Sequence, residues 1–290
     1  MDNRPIGVFD SGIGGLTVLK SLIEGLPGEG FVYFGDCARV PYGTKSKDTV
    51  VKYTYQDLRL LMSENVKLIV IACFTASARF IEEETKKYNI PVVEVITPGA
   101  AAGAAATKIN RIGVICTQGT MESGVYNKAV LAINPDINIV TAPCPLFVPL
   151  VEEGWWDNDI AYAVAHKYLD DLKGKDIDNL ILGCTHYSLL AGVIQKIMGE
   201  SVKLISPGKA VTDVVAKYLN DNDMFRDDGS VQGIKHDNGG SKGKGRATNN
   251  GSDNNISFYT SDSVEKFKML SSAFLGRATP DVKKIEIEDY

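Results

Sequence analysis

The sequence has no long hydrophobic run, and this absence argues against a membrane partner. Its most apolar long window, residues 91–107, consists largely of Ala, Gly and Val and contains Glu94, whereas a spanning helix needs about 20 predominantly apolar residues. The N-terminal residues MDNRPIGVF lead into a strand pattern within a few positions and do not resemble a signal peptide. We therefore predict a cytoplasmic protein.

Neither a C-x-x-C pair nor a run of basic residues is present. The five cysteines are spread singly, which is unlike a disulfide framework or a thioredoxin-type motif and favours reduced thiols. Lys and Arg number 31 against 36 Asp and Glu, a formal charge of −5, so we expect no nucleic-acid partner. Cys184 and His186 are too close in sequence for the usual zinc spacing, and Cys73 has no comparable neighbour, so we expect no metal site.

The chain does contain one pattern that occurs twice. Residues 66–78 (VKLIVIACFTASA) and 178–190 (DNLILGCTHYSLL) each combine an apolar strand, a cysteine (Cys73 or Cys184) and a stretch suited to a helix. A second matching pair, PIGVFDSGIGGLTVLKSL and RIGVICTQGTMESGVYNKA, lies upstream at nearly the same offset. A chain of 290 residues allows one large α/β domain or two of moderate size. The repeat predicts two similarly folded halves that face each other across a cleft, with one cysteine on each side.

A cysteine where a strand ends and a helix begins lies where open α/β sheets bind ligands. A helix N-terminus stabilises thiolate over thiol, so this position predicts a pKa below the reference value of about 8.5. The alternatives are a buried cysteine that packs as a small hydrophobic side chain, a metal ligand and a redox pair. Asp10 and His186 are candidate partners that manage the protons of Cys73 and Cys184, and they favour acid/base chemistry on opposite faces of one carbon.

The glycine-rich turn after the first predicted strand, DSGIGG at residues 10–15, could hold an anion. Its glycines are spaced G-x-G-G rather than G-x-G-x-x-G, and no P-loop lysine follows, so it is not a nucleotide fingerprint. The acidic Asp10 favours an ammonium group instead. A carboxylate beside several unpaired N–H groups would suit an amino acid.

The order of strands and helices predicts two pseudo-symmetric open-sheet α/β domains with the active site in the cleft between them. Residues 1–97 plus 208–290 are expected to form the first domain and residues 98–207 the second. Residues 226–255 are rich in Gly, Asn, Ser, Asp and Lys and are predicted to be a flexible insertion. Individual predictions include helices over Lys47 to Asn65, Ala76 to Tyr88 and Ser263 to Leu275, and strands over Val92 to Ile96 and Val282 to Ile287.

The segments FDSGIGGLTVL, GDCARVPYGTKS, IACFTASA, CPLFVPLVEEG and LGCTHYSLL, in that order, resemble the motif series of the cofactor-independent glutamate racemases, within the aspartate/glutamate racemase superfamily. The resemblance covers nearly the whole chain outside residues 226–255. It implies two α/β domains with the active site between them, glutamate as the substrate, no pyridoxal phosphate or metal, and production of D-glutamate for peptidoglycan. A homodimer is common in the family, although no stretch of this sequence identifies an interface.

Carried over position by position, the resemblance makes Cys73 and Cys184 the acid/base pair. Asp10, Glu152 and His186 become supporting groups, although Glu152 by itself reads as part of a solvated acidic turn. His186 also separates the chain from aspartate racemases, which typically carry an acidic residue there. Substrate contacts are expected at Asp10, Ser11, Tyr42, Gly43, Phe74, Thr75, Thr117, Thr120, Thr185 and His186.

Phe74 departs from the family pattern, in which Asn follows the first cysteine. The Asn amide binds polar groups of the amino acid, and a Phe ring has no donor or acceptor to replace it. Loss of one such hydrogen bond costs about 1–3 kcal/mol when substrate groups are left unpaired. The alternative to an active glutamate racemase is therefore a homologue that is catalytically impaired, acts on another amino acid, or serves as a binding or regulatory protein.

Overall fold

The chain folds into two parallel β-sheets that are covered by helices. The computed structural model describes residues 1–80, 90–227, 256–279 and 281–290. The strands of these residues are β1 Ile6–Asp10, β2 Phe31–Gly35, β3 Leu68–Ile71, β4 Val92–Glu94, β5 Arg111–Cys116, β6 Asn138–Pro143, β7 Asn179–Gly183, β8 Lys203–Ile205, β9 Ile256–Thr260 and β10 Val282–Lys284.

Helices follow most of the strands, as parallel pairing requires a crossover between neighbours. They are α1 Leu16–Gly25, α2 Lys47–Ser63, α3 Phe74–Arg79, α4 Ile96–Ala106, α5 Gln118–Ser123, α6 Val125–Ile133, α7 Phe147–Glu152, α8 Asp159–Lys173, α9 Ala191–Met198, α10 Gly208–Asp221 and α11 Val264–Leu275. Short 3₁₀ turns span Cys37–Arg39, Tyr42–Thr44, Thr185–Leu190 and Ile287–Asp289.

The two sheets share one topology. The first has the order β10-β9-β2-β1-β3-β4 and the second β6-β5-β7-β8, so the order 2-1-3-4 of the first sheet recurs in the second. β1 corresponds to β5 and β3 to β7, which are the strands of the two sequence repeats. This confirms the predicted α/β fold with two similar sheets.

The strands are apolar on both faces because both faces are buried. In the first sheet, Ile6 and Val8 belong to one hydrophobic cluster, and Phe9 and Ile71 belong to another. The first cluster continues into the second sheet, where it includes Val114. One core thus joins the two sheets and fixes the side chains at their facing edges.

Several predicted element ends differ from the structure. The strand predicted over Val92 to Ile96 ends at Glu94, because the Glu94 carboxylate accepts hydrogen bonds from the backbone N–H groups of Ile96 and Thr97, and so starts α4. α2 ends at Ser63, two residues before Asn65, which has a left-handed φ of 54°.

The other differences also lie at element ends. β10 ends at Lys284, and Ile287 belongs to a 3₁₀ turn. α11 begins at Val264 because the Ser263 side chain caps it, accepting from the Lys266 N–H at 3.1 Å. α3 begins at Phe74 and its described part ends at Arg79. The rest of the helix predicted to Tyr88, and residues 228–255 of the predicted insertion, lie outside the described residues.

The predicted domain limits at residues 97/98 and 207/208 stay a prediction. The first falls inside α4 and the second directly before α10. In the described part of the chain, no helix is long and apolar enough to cross a membrane.

Candidate active site

Cys73 lies directly after β3 and caps the N-terminus of α3. Its Sγ accepts a hydrogen bond from the Ala76 N–H at 3.5 Å and donates one to the Ser11 hydroxyl at 3.5 Å. The predicted low pKa is wrong. Burial, together with the charge of Asp10, raises the pKa of Cys73 to about 12, and the hydrogen bonds to Ser11 and Ala76 offset only part of this. The neutral thiol is therefore the dominant form near pH 7.

Cys184 has the same position in the second sheet. It follows β7 and precedes the 3₁₀ turn Thr185–Leu190. Burial raises the pKa of Cys184 well above its ordinary value, while the backbone N–H of His186 acts in the opposite direction. Both cysteines thus rest as thiols that have hydrogen-bond donors beside the sulfur.

One cleft, with an empty volume of about 310 Å³, is lined by both thiols. Its walls come from the carboxyl ends of strands in both sheets, as expected for a ligand site in an α/β fold. The structure therefore brings together most of the predicted substrate contacts. Those that line the cleft are Asp10, Ser11, Tyr42, Gly43, Phe74, Thr75, Thr117, Thr185 and His186.

Asp10 ends β1 and is buried, with 1% of its surface exposed. Its Oδ2 accepts the Gly15 N–H at 3.0 Å, whereas its Oδ1 has no hydrogen-bond partner. Burial raises the pKa of Asp10, against the charge of His186 and the N–H groups of Gly15, Gly12 and Ser11. Leaving a buried carboxyl oxygen without a hydrogen-bond partner costs free energy. Because Asp10 lines the cleft, a ligand could supply the missing partner.

His186 belongs to the 3₁₀ turn that follows Cys184 and lies next to Glu152. Its Nδ1 is 3.4 Å from the Thr185 hydroxyl, and its Nε2 is 3.4 Å from Glu152 Oε1. The second contact is electrostatic, since Nε2 has no well-directed hydrogen bond. Burial opposes the ionisation of Glu152, but His186 and the charge of Lys266 outweigh it and lower the pKa of Glu152.

Glu152 itself does not line the cleft. It ends α7 and borders a neighbouring cavity together with Lys266 and Phe267 of α11. Its place behind His186 suits a group that orients the imidazole, as a carboxylate does in many acid/base sites. The reading of Glu152 as a solvated acidic turn is wrong, because its side chain is only 19% exposed.

A chain of hydroxyl groups crosses the cleft from one half to the other. Thr75 Oγ1 lies 2.9 Å from Thr117 Oγ1, which lies 3.0 Å from Thr120 Oγ1. Thr117 also caps α5 through the Thr120 N–H. Thr120 does not line the cleft but fixes Thr117, which does.

Tyr42 lines the cleft, but its hydroxyl is bonded to residues that do not. The hydroxyl is hydrogen-bonded to the Asp36 carboxylate and, at 2.9 Å, to Asp57 Oδ2. Tyr42 is therefore at the predicted place, but its polar atom is committed elsewhere. A direct hydrogen bond from this hydroxyl to a substrate is not part of the arrangement.

Phe74 is buried beside the cleft and 3% exposed. Its side chain belongs to the hydrophobic cluster that joins the sheets. It also lines a smaller cavity that shares Cys184 and Thr185 with the cleft. Phe74 thus contributes an apolar part of the lining of both cavities.

Comparison with known proteins assigns the chain to a family. The model of the Asp/Glu/hydantoin racemase family matches residues 6–215. A glutamate racemase of Geobacter metallireducens is 44% identical over 98% of this chain and 97% of its own length. This chain belongs to the Asp/Glu/hydantoin racemase family.

Solved glutamate racemases have the same fold along the whole chain. The structure from Francisella tularensis, described as a complex with D-glutamate, matches with a TM-score of 0.85 at 36% identity and covers 100% of both chains. The RacE1 isoform from Bacillus anthracis matches with a TM-score of 0.86 at 32% identity and covers 98% of both chains. These three full-length relatives are all glutamate racemases, and their similarity to this chain does not favour an impaired or substrate-altered homologue.

Three residues that line this racemase cleft are not among the predicted contacts. They are Val40 and Pro41, from the loop before Tyr42, and Val148, from α7. Val148 lies inside the CPLFVPLVEEG segment, where only a glutamate was predicted to take part. The apolar run before Glu152 could have identified Val148, because such a run is expected to be buried in the interior of the protein.

The described residues contain no group of three or more His, Cys, Asp or Glu side chains that could hold a metal ion. Catalysis without a cofactor remains a prediction for this racemase.

Proposed function

We propose that this protein interconverts L- and D-glutamate by moving the α-proton between Cys73 and Cys184. The observation that carries the proposal is the presence of both thiols in one cleft, each at the end of an equivalent strand in one of the two sheets. Two acid/base groups on opposite sides of one carbon can remove a proton from one face and deliver another to the opposite face. The configuration at the carbon then inverts.

The cleft offers complementary partners for an amino acid. The unpaired Oδ1 of Asp10 is suited to the substrate ammonium, because a charge-assisted hydrogen bond would satisfy a buried acceptor. Ser11, Thr75, Thr117 and Thr185 supply hydroxyl groups that can donate to the carboxylates. Thr120 supports Thr117, and Phe74 closes an apolar part of the wall.

The proton steps balance within the pair. In one direction the Cys73 thiolate takes the α-proton and becomes a thiol, while the Cys184 thiol gives its proton to the other face and becomes a thiolate. The reverse direction exchanges these roles. Thiolate formation has to be assisted, because burial favours the thiols. We assign the assistance near Cys73 to Asp10, which acts as a base: it takes the thiol proton and thereby loses the charge that opposes the thiolate. Near Cys184 we assign it to His186, oriented by Glu152.

In the cell, we propose a cytoplasmic enzyme that supplies D-glutamate for peptidoglycan. Cytoplasmic conditions keep thiols reduced, as this chemistry requires. A homodimer stays a prediction, to be checked by light scattering of the purified protein.

The test is racemisation of D-glutamate and, separately, of L-glutamate by the purified protein without added cofactor. We expect activity in both directions, and a loss of at least about a hundredfold in Cys73→Ala and in Cys184→Ala, as for removal of a general acid or base. Cys116→Ala is the matched control, since Cys116 is buried at the end of β5 and does not line the cleft. Racemisation retained in either cleft variant would overturn the two-thiol mechanism.

A further inference from the structure

One wall of the cleft is a loop that belongs to no strand and no α-helix. Residues 40–43 line the cleft; they follow the 3₁₀ turn Cys37–Arg39 and include the start of the turn Tyr42–Thr44. The tip of the loop meets the other half of the molecule, since a Cβ at Gly43 would lie only 2.7 Å from Thr117 Cβ. The position of this loop therefore sets the width of the cleft.

Side chains outside the cleft hold the loop in place. Asp57, on α2, approaches the Tyr42 hydroxyl at 2.9 Å through Oδ2 and Arg39 Nη2 at 3.0 Å through Oδ1. Arg39 also donates to Asp36 at 2.6 Å and to Gln56 at 2.6 Å. Asp57 thus holds the loop at two points: Arg39, directly before the residues that line the cleft, and Tyr42, which is one of them.

The same network reaches the end of β9, the neighbour of β2 in the first sheet. Ser261, which follows β9, donates to Asp36 Oδ1 at 2.8 Å and accepts from the Ala38 N–H at 2.9 Å. The Arg39 guanidinium also lies 4.0 Å from the centre of the Tyr53 ring, on α2. The loop is consequently tied to both the sheet and α2.

The hydrogens of this network can be assigned by counting. The Tyr42 hydroxyl carries one hydrogen but faces two carboxyl groups, those of Asp36 and Asp57, so one carboxyl must itself donate. Burial and the charge of Asp36 raise the pKa of Asp57 well above its ordinary value, although Arg39 and Tyr42 oppose this. The consistent assignment is a protonated Asp57 that donates to Tyr42, which in turn donates to Asp36.

We propose that Asp57 is a positioning residue that, as a hydrogen-bond donor to Tyr42 and an acceptor from Arg39, fixes the cleft loop and thereby sets the affinity for substrate. The inference rests on the proposed racemase activity. The groups assigned to proton transfer, Cys73 and Cys184, lie on other elements. Loss of Asp57 should therefore weaken the binding of substrate and transition state about equally, which raises KM and leaves kcat nearly unchanged.

Steady-state kinetics of the purified protein with D-glutamate test this proposal. For Asp57→Ala we expect KM to rise about tenfold, the effect of one lost buried hydrogen bond, with kcat within about threefold. Asp57→Asn keeps a donor for Tyr42 and an acceptor for Arg39, so it should stay within about twofold of wild type in both constants. Asp48→Ala, an exposed aspartate of the same helix, is the matched control and should change neither.

Thermal unfolding of each variant separates loop positioning from loss of fold. If Asp57→Ala does not fold, Tyr42→Phe carries the test, since it removes only the hydroxyl link, and the same rise in KM is expected. An unchanged KM in the folded Asp57→Ala and Tyr42→Phe variants would overturn the proposal. So would an Asp57→Asn variant as impaired as Asp57→Ala. A wild-type protein without racemase activity would instead contradict the proposed function, and calorimetric binding of D-glutamate to the same variants would then decide the role of Asp57.

Discussion

At the scale of single residues, Phe74 is the main departure of this cleft from its family pattern. An Asn at this position would place an amide beside the substrate, whereas the ring packs into the cluster that joins the two sheets. The two side chains therefore differ both in what they offer to the substrate and in what they contribute to the core.

We predict that Phe74→Asn binds glutamate more tightly but is less stable. A new hydrogen bond to a charged substrate group should lower the KM for D-glutamate by roughly fivefold or more. Loss of a buried ring should lower the free energy of unfolding by about 3–5 kcal/mol, as for Phe→Ala in other cores. Steady-state kinetics and urea unfolding at 25 °C measure the two effects.

Phe74→Leu is the control, because it shortens the apolar side chain without adding a polar group. It should lose less stability than the Asn variant and leave KM unchanged. A Phe74→Asn variant with wild-type KM would show that the missing amide does not limit binding in this protein.

At the scale of elements, the turn before α1 packs closely against the segment that carries His186. A Cβ on Gly14 would lie 2.3 Å from Thr185 Oγ1 and 2.6 Å from His186 Nδ1. The absence of a side chain at Gly14 is thus what lets the two halves approach at the cleft. The His186 ring also packs nearly at right angles against the ring of Phe274, on α11, with 5.6 Å between the ring centres.

We predict that Gly14→Ala lowers kcat/KM by at least about tenfold, because the methyl group must displace His186 or Thr185 and small misplacements near the reacting groups are costly. Gly192→Ala is the matched control, since a Cβ there has no neighbour within 4 Å and Ala favours a helix over Gly. Kinetics and thermal unfolding of both variants check this. Wild-type kinetics in Gly14→Ala would mean that a displacement of the His186 segment does not affect racemisation.

Strands and their terminal cysteines were predictable because buried parallel strands form apolar runs that end abruptly. The sequence repeat also predicted that Cys73 and Cys184 share one cleft, because equivalent strands end at equivalent edges of the two sheets. Element ends were less predictable, as they depend on local side-chain caps such as that of Glu94. The direction of the Tyr42 hydroxyl was not predictable at all, because it depends on Asp57, which is close only after folding.

The pKa of Cys73 shows the same limit in energetic terms. The sequence places this thiol at a helix N-terminus, which favours the thiolate. The fold shows that the thiol is buried, and burial together with the charge of Asp10 raises its pKa instead. The sequence therefore identified Asp10 as a neighbour of Cys73 correctly, but the helix N-terminus rule predicted a pKa shift in the wrong direction.

At the scale of the whole molecule, the buried thiols make the fold sensitive to alkali. Burial raises the pKa of Cys37, Cys73 and Cys116 to about 12, and those of Cys144 and Cys184 also lie well above the usual value. In the unfolded chain these thiols titrate near pH 8.5. Above that pH the folded protein holds more protons than the unfolded one, so stability must fall as pH rises towards 12.

We predict that the free energy of unfolding is nearly independent of these thiols below pH 8 and falls steeply between about pH 9.5 and 11, by about 1.4 kcal/mol per pH unit for each buried cysteine. Urea unfolding at several pH values, with a reducing agent present, measures the slope. The double variant Cys116→Ala/Cys144→Ala removes two buried thiols that do not line the cleft. Its slope should be smaller by up to about 2.7 kcal/mol per pH unit. Equal slopes in the two proteins would mean that other buried groups, such as the tyrosines, control the alkaline transition.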